Sequence, residues 1–319
     1  FFVLSGYLIA GQLLKVQINS GQISLRIFLI RRTLRIWPLY LFVVLVYFSV
    51  PAFVERGHLP PLWKFLTFTQ NFGLDIHAGG AFSHAWSLCV EEHFYLVLPF
   101  ILILMVRYAN VNRSICLFFG MIVTGMLLRF ILWNKFVSPV YLLESFKLVY
   151  FKEIYYPTYC RLDGLTVGVG VAALCNLKPE LWQKISRHGN IFLGSSLAFL
   201  IGAGWFLNDL PSLSSAVFVF PAVAFGFGGL LIAALSSNGL LAKTNIPGTG
   251  IGAILAFSFY LIHKPVLALS KNWLDLSGIQ ADPLLLFIGT LVLCLFLSSL
   301  LYFLIERPFL HLRQRWLAQ

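Results

Sequence analysis

Apolar residues arrive along this chain in nine runs, parted by polar connectors. The runs are Phe1–Leu14, Ile36–Phe53, His84–Met105, Ser114–Trp133, Tyr159–Cys175, Asn190–Leu207, Ser214–Leu235, Ile251–Leu269 and Pro283–Ile305. Most are about 18–24 residues long, the length of helix that crosses about 30 Å of hydrocarbon. Such a pattern predicts an all-α, polytopic membrane helix bundle in a single domain over residues 1–319. Phe1 already lies inside an apolar run, with no initiator Met and no charged leader before it. The reading is therefore of about nine spans from an expected ten, with the first span upstream of this sequence.

Composition agrees. The chain is 59% hydrophobic and 11% charged, whereas soluble domains have roughly 45–50% apolar and about 25% charged residues. A net charge of +11 would suit nucleic acid in a soluble protein, but here the charges fall in the connectors, where they set orientation across a membrane. Connectors 15–35, 107–113, 176–189 and 236–250, with the tail 306–319, hold fourteen Lys and Arg; the alternate set holds six, together with Glu55, Asp75, Glu144, Glu153, Asp209, Asp275 and Asp282. The positive-inside rule then places the first set and the C-terminus in the cytoplasm, in the cell (inner) membrane. The outer connectors 51–83 and 134–160 are rich in aromatic residues and are expected to fold against the membrane surface. Cys89, Cys116, Cys160, Cys175 and Cys294 show no paired spacing and read as small core residues, with no disulfide framework and no metal site.

Charged groups inside a bilayer are costly and by default mark function. The third run opens with His84, Trp86 and Ser87 and carries Glu91, Phe94 and Tyr95. At helical spacing His84, Ser87, Glu91 and Tyr95 share one face, and a carboxylate with an imidazole is a general acid–base pair. Arg161 and Asp163 open the fifth run, and His263 and Lys264 lie late in the eighth, where Pro265 frees a carbonyl and bends the helix. The competing reading is structural: Glu91 or Asp163 held by Arg161 or Lys264. Arg31, Arg32 and Arg35 sit where a basic connector enters a helix. Guanidinium groups suit bidentate phosphate binding, and ordinary contact with lipid headgroups is the alternative. A Walker loop, a zinc-protease helix and a serine elbow are all missing from the sequence.

Several segments carry a family resemblance. Phe1-Phe2-Val3-Leu4-Ser5-Gly6-Tyr7, Arg31-Arg32-Thr33-Leu34-Arg35, His84-x-Trp86-Ser87-Leu88-x-x-Glu91-x-x-Phe94-Tyr95, Arg161-Leu162-Asp163-Gly164, Ser258-Phe259-Tyr260-Leu261-Ile262-His263-x-Pro265 and Glu306-Arg307-Pro308 occur in this order. Together they resemble the acyltransferase-3 family of integral membrane O-acyltransferases. The resemblance implies a ten-span enzyme that moves an acyl group, often acetyl, from cytoplasmic acyl-coenzyme A to a hydroxyl of an envelope glycan at the outer face. It implies no permanently bound cofactor; the partners are acyl-coenzyme A, the acceptor and the lipid bilayer. By the same resemblance Arg32 and Arg35 bind the donor, and the proposed catalytic histidine lies on the helix ahead of Phe1. The candidate catalytic residues are thus Glu91, Tyr95, His84 and His263. The candidates for substrate or donor binding are Arg32, Arg35, Arg161, Asp163, Ser5, Trp86, Ser87 and Phe94. Rival readings are a transporter or flippase for an anionic or sugar-linked substrate, and a sensor that kept the fold without the chemistry.

Overall fold

The computed structural model describes residues 1–108, 111–206, 211–277 and 282–317, and Asp209 and the end of the sixth apolar run at Leu207 lie outside them. All regular structure among the described residues is helical. The principal helices are α1 (Phe2–Ser20), α2 (Leu25–Ser49), α3 (Trp86–Tyr108), α4 (Val111–Leu132), α5 (Asp163–Leu177), α6 (Gly189–Trp205), α7 (Phe220–Ala234), α8 (Thr249–Ser277), α9 (Pro283–Leu301) and α10 (Arg307–Leu317). Among the described residues, five helical stretches are long and apolar enough to cross a membrane: Ser83–Met105, Asn112–Val140, Ser215–Ala234, Thr249–Ser277 and Pro283–Trp316. The helices α5 and α6 are apolar but shorter, and α1 and α2 carry Lys15, Arg26, Arg31, Arg32 and Arg35.

Local chemistry sets the helix ends. Gly21 closes α1 in the left-handed region, at φ 70°, a conformation that costs glycine nothing. Ser24 opens α2 by accepting the Ile27 N–H on its side chain. Asp282 caps α9 through the Leu284 and Leu285 N–H groups, with Pro283 at the first helical position. One sequence expectation is corrected here. The second helix starts eleven residues before Ile36, so Arg31, Arg32 and Arg35 belong to its body rather than to a connector. Pro38 accordingly lies in the helix interior. Interior prolines recur at Pro99 in α3 and Pro265 in α8, as membrane helices allow when another group satisfies the freed carbonyl.

The chain forms two compact units. The first comprises residues 1–23, 71–73 and 87–245. Within it α1 and α5 pack at backbone distance, because glycines remove the side chains between them. A Cβ at Gly6 would collide with the Leu165 carbonyl, and one at Gly168 would meet the Val3 carbonyl and lie 2.7 Å from the Tyr7 nitrogen. Gly164 and Gly168 are four residues apart, the small-residue spacing that brings membrane helices into contact. The connector after α4 folds back as a core of Trp133, Val137, Phe146, Tyr150 and Ile154, joined by Ala216 from the turn ahead of α7.

The second unit comprises residues 24–70, 74–86 and 246–319. Its interior is aromatic: Tyr40 stacks on Phe68 at 4.6 Å, and Tyr47 meets Phe82 at 4.7 Å. The connector after α2 thus folds against α2 itself. Phe68 and Phe82 sit at positive φ, 55° and 53°, a strained conformation for a bulky residue that burial of both rings sustains.

Gly168→Leu should therefore destabilise the protein by about 1–3 kcal/mol or more, as overpacking does, whereas Gly194→Ala, with open space at its Cβ, should be near neutral. Thermal unfolding of the detergent-solubilised variants checks the contrast.

Candidate functional site

In the first unit the close approach of α1 to α5 fixes the rotation of α1 and with it Ser5. The Ser5 hydroxyl is hydrogen-bonded to the Tyr95 hydroxyl of α3, and both are hydrogen-bonded to the Glu91 carboxylate one turn before Tyr95. Glu91 is 3% exposed and Tyr95 4%. The Oε1 atom of Glu91 has no hydrogen-bond partner among the described residues. A buried carboxylate oxygen left without a partner is costly, so structures seldom keep one without a use. Two hydroxyls hold Glu91. Phe94 is buried, Ser87 is half-buried, and the neighbouring His93 hydrogen-bonds Thr158 Oγ1 at 2.8 Å and stacks on Phe72.

Asp163 is paired elsewhere than expected. Its carboxylate takes a bidentate bond from Arg129, at 2.7 and 3.1 Å, and Arg129 also donates to the Cys160 carbonyl at 2.7 Å. Arg129 is 0% exposed, and its guanidinium lies over the Phe220 ring. Arg161, one of the two cations that the structural reading offered Asp163, turns into an aromatic cage, 4.2 Å from the Phe220 ring centre and 4.8 Å from that of Tyr155. Arg129 escaped the sequence reading because it stands in an apolar run with no acid at helical spacing, its partner lying thirty-four residues on. An arginine mid-span was itself the signal that could have found it.

In the second unit, His84 occupies a 3-10 turn, Ser83–Ala85, ahead of α3, so the α-helical spacing from His84 to Glu91 does not hold over its first residues. The imidazole meets the Leu261 carbonyl at 3.2 Å through Nε2, and its ring stands edge-on to His263, centres 4.9 Å apart. Tyr260 donates its hydroxyl to the His84 carbonyl. Trp86 is half-buried and Lys264 is exposed.

The same unit holds a basic cluster. Arg32 is buried, with its guanidinium over the Phe28 ring, whereas Arg35 is exposed. The two share a stripe of α2 but not an environment. Arg313 of α10 adds its charge to those of Arg31 and Arg35. Glu306 faces Arg35 electrostatically and accepts the Ser258 hydroxyl at 3.0 Å. Sequence spacing could not bring Arg313, nearly three hundred residues on, to this group.

Comparison with known proteins places the chain. The acyltransferase domain family matches residues 1–303. The chain belongs to this family, the acyltransferase-3 family, and is a membrane acyltransferase. An uncharacterized protein of Haemophilus influenzae is 30% identical over 75% of this chain and 98% of its own length. A Staphylococcus aureus protein, provisionally named an O-acetyltransferase, is 25% identical over 97% of this chain and 51% of its own length. Peptidoglycan O-acetyltransferase OatA of Listeria monocytogenes is 26% identical over 87% of this chain and 45% of its own length. The chain thus spans about half the length of the last two relatives. No solved structure gives a significant match.

Removing one partner of the Arg129–Asp163 pair strands a buried charge. Arg129→Met should cost about 3–5 kcal/mol, and Arg129→Met with Asp163→Leu should cost clearly less. Unfolding of the single and double variants in detergent measures the difference; equal losses would contradict the pairing.

Proposed function

We propose that this protein transfers an acyl group, most simply acetyl, from acyl-coenzyme A to a hydroxyl of an envelope glycan. The observation that carries the reading is the buried Glu91 carboxylate, held by Ser5 and Tyr95 with one oxygen open. A thioester is already activated, so the reaction needs a proton carrier and correct placement, not an energy source. By the family resemblance, an imidazole takes the proton from the acceptor hydroxyl. The open oxygen of Glu91 accepts the other ring N–H and stabilises the imidazolium as it forms. The acceptor oxygen attacks the thioester carbonyl, and the C–S bond of the resulting tetrahedral intermediate breaks. The departing thiolate takes the proton back from the imidazolium, leaving an ester and free coenzyme A.

The donor's phosphates meet Arg32 and Arg35, with Arg31 and Arg313 adding to the local positive field. Arginine is favoured there because its planar fork matches phosphate oxygens. With charge orientation as the guide, this end of the protein is cytoplasmic, the C-terminus lies on the same side, and the acceptor stands at the outer face of the inner membrane. Peptidoglycan, named for the listerial relative, is the first acceptor to try. In the first unit Tyr95 contributes a polar group beside Glu91; in the second, His263 is the candidate acid–base group.

Labelled acetyl-coenzyme A and peptidoglycan glycan strands test the reading with full-length protein. Glu91→Gln should lower kcat about 10²–10⁴-fold, the usual share of a positioned acid–base group; near-normal turnover would remove Glu91 from the mechanism. Arg32→Ala with Arg35→Ala should raise KM for the donor at least about tenfold, since hydrogen bonds to charged groups contribute about 1.5–3 kcal/mol each. An unchanged donor KM would assign both arginines to lipid headgroups instead.

A further inference from the structure

The eighth helix runs without a break from Thr249 to Ser277 although Pro265 lies inside it. Proline has no N–H, so the carbonyl four residues earlier, that of Leu261, loses its intrahelical donor. In a bilayer no water can replace that donor. The group that does is far away in sequence: His84 Nε2 stands 3.2 Å from the Leu261 oxygen. A carbonyl can only accept, so Nε2 carries the proton and Nδ1 holds the lone pair. Nδ1 is buried and has no partner among the described residues. The same turn is tied again by the Tyr260 hydroxyl, which donates to the His84 carbonyl.

Two further features aim the ring. Phe82, two residues before His84, takes the left-handed conformation, and its N–H is held at 3.1 Å by Glu55 Oε1. His84 is then packed between the rings of Phe82, Tyr260 and His263, with centres 5.1, 5.5 and 4.9 Å away. A strained residue held by burial and a carboxylate shows that this turn is built to one geometry.

Two residues before Pro265, His263 is also locked. Its Nδ1 donates to the Tyr260 carbonyl at 2.8 Å, and its ring lies parallel to Phe259. Its lone pair is therefore on Nε2, and the side chain is half-buried rather than sealed.

We infer that His84 is a positioning residue: its Nε2–H stands in for the N–H that Pro265 lacks and fixes the helical turn ahead of Pro265 that presents the His263 Nε2 lone pair. The inference rests on the reading that His263 takes part in acyl transfer. It accounts for an imidazole at position 84, since the ring reaches the carbonyl rigidly and donates from its far nitrogen. It also links two sequence segments, His84-x-Trp86-Ser87 and His263-x-Pro265, through one hydrogen bond.

Pro265→Ala restores a backbone donor to the Leu261 carbonyl and should make His84 dispensable for stability. The test is a double-variant cycle on the full-length protein, read by melting temperature and by acetyl transfer, with histidine ¹⁵N NMR on the wild type. His84→Ala should lower the melting temperature and cut turnover about tenfold, the effect of one buried carbonyl left without its donor. His84→Gln, whose amide N–H falls near the Nε2 position, should recover most of both losses. In the Pro265→Ala background, His84→Ala should lower the melting temperature no further. The His84 resonances should report a proton on Nε2 and none on Nδ1.

Equal melting-temperature losses from His84→Ala in both backgrounds would overturn the inference, as would a proton on Nδ1. So would a His84→Gln protein as stable as wild type but as slow as His84→Ala, since the ring would then act in the chemistry itself. If the wild type transfers no acetyl group, the functional reading falls, while the melting-temperature cycle and the tautomer still decide this inference.

Discussion

Each polar group in this protein that lies at membrane depth must find its partner within the chain, because hydrocarbon offers none. That constraint explains the features that composition leaves unexplained. Arg129 and Asp163 close on one another and on the Cys160 carbonyl. The Leu261 carbonyl, stripped of its donor by Pro265, is taken by His84. Glu91 is held by two hydroxyls, Ser5 and Tyr95. The first two arrangements are structural. The third leaves open an oxygen of a buried carboxylate, and a buried charge-bearing group without a full set of partners is where chemistry is expected.

The packing serves these contacts. Ser5 can meet Tyr95 because its neighbour Gly6 has no side chain to push α1 away from α5, and Gly164 and Gly168 clear the other surface. Van der Waals fit between such helices replaces the hydrophobic drive that a bilayer cannot supply. In the second unit, aromatic rings do the corresponding work: Tyr40, Tyr47, Phe65 and Phe82 are each at most 1% exposed, and they hold the strained residue that precedes His84.

Much of this was legible in the sequence, in uneven measure. Apolar runs located the helices, and the family segments located Glu91, Tyr95, His84, His263, Arg32 and Arg35. Helix α2 was misjudged at its start because four arginines read as a connector. Long guanidinium side chains carry their charge away from the helix axis, so a helix can hold them, and Ser24 was the overlooked cap. Sequence offered Asp163 only Arg161 or Lys264 as partners and passed over Arg129, whereas Arg161 found three aromatic rings, Phe2, Tyr155 and Phe220. Pro265 announced a free carbonyl but not its donor, since nothing in the spacing of His84 pointed to Leu261. Pairings between distant helices depend on packing, and a single sequence does not encode their distances in any local pattern.

A membrane acyltransferase that takes its donor on one side and its acceptor on the other must carry an acyl group through the bilayer. The direct measurement uses sealed proteoliposomes sorted so that the C-terminus faces outward, with peptidoglycan glycan strands inside and labelled acetyl-coenzyme A, which does not cross lipid, outside. The account predicts labelled O-acetyl esters on the enclosed glycan. Label confined to glycan added outside, with none inside, would contradict it.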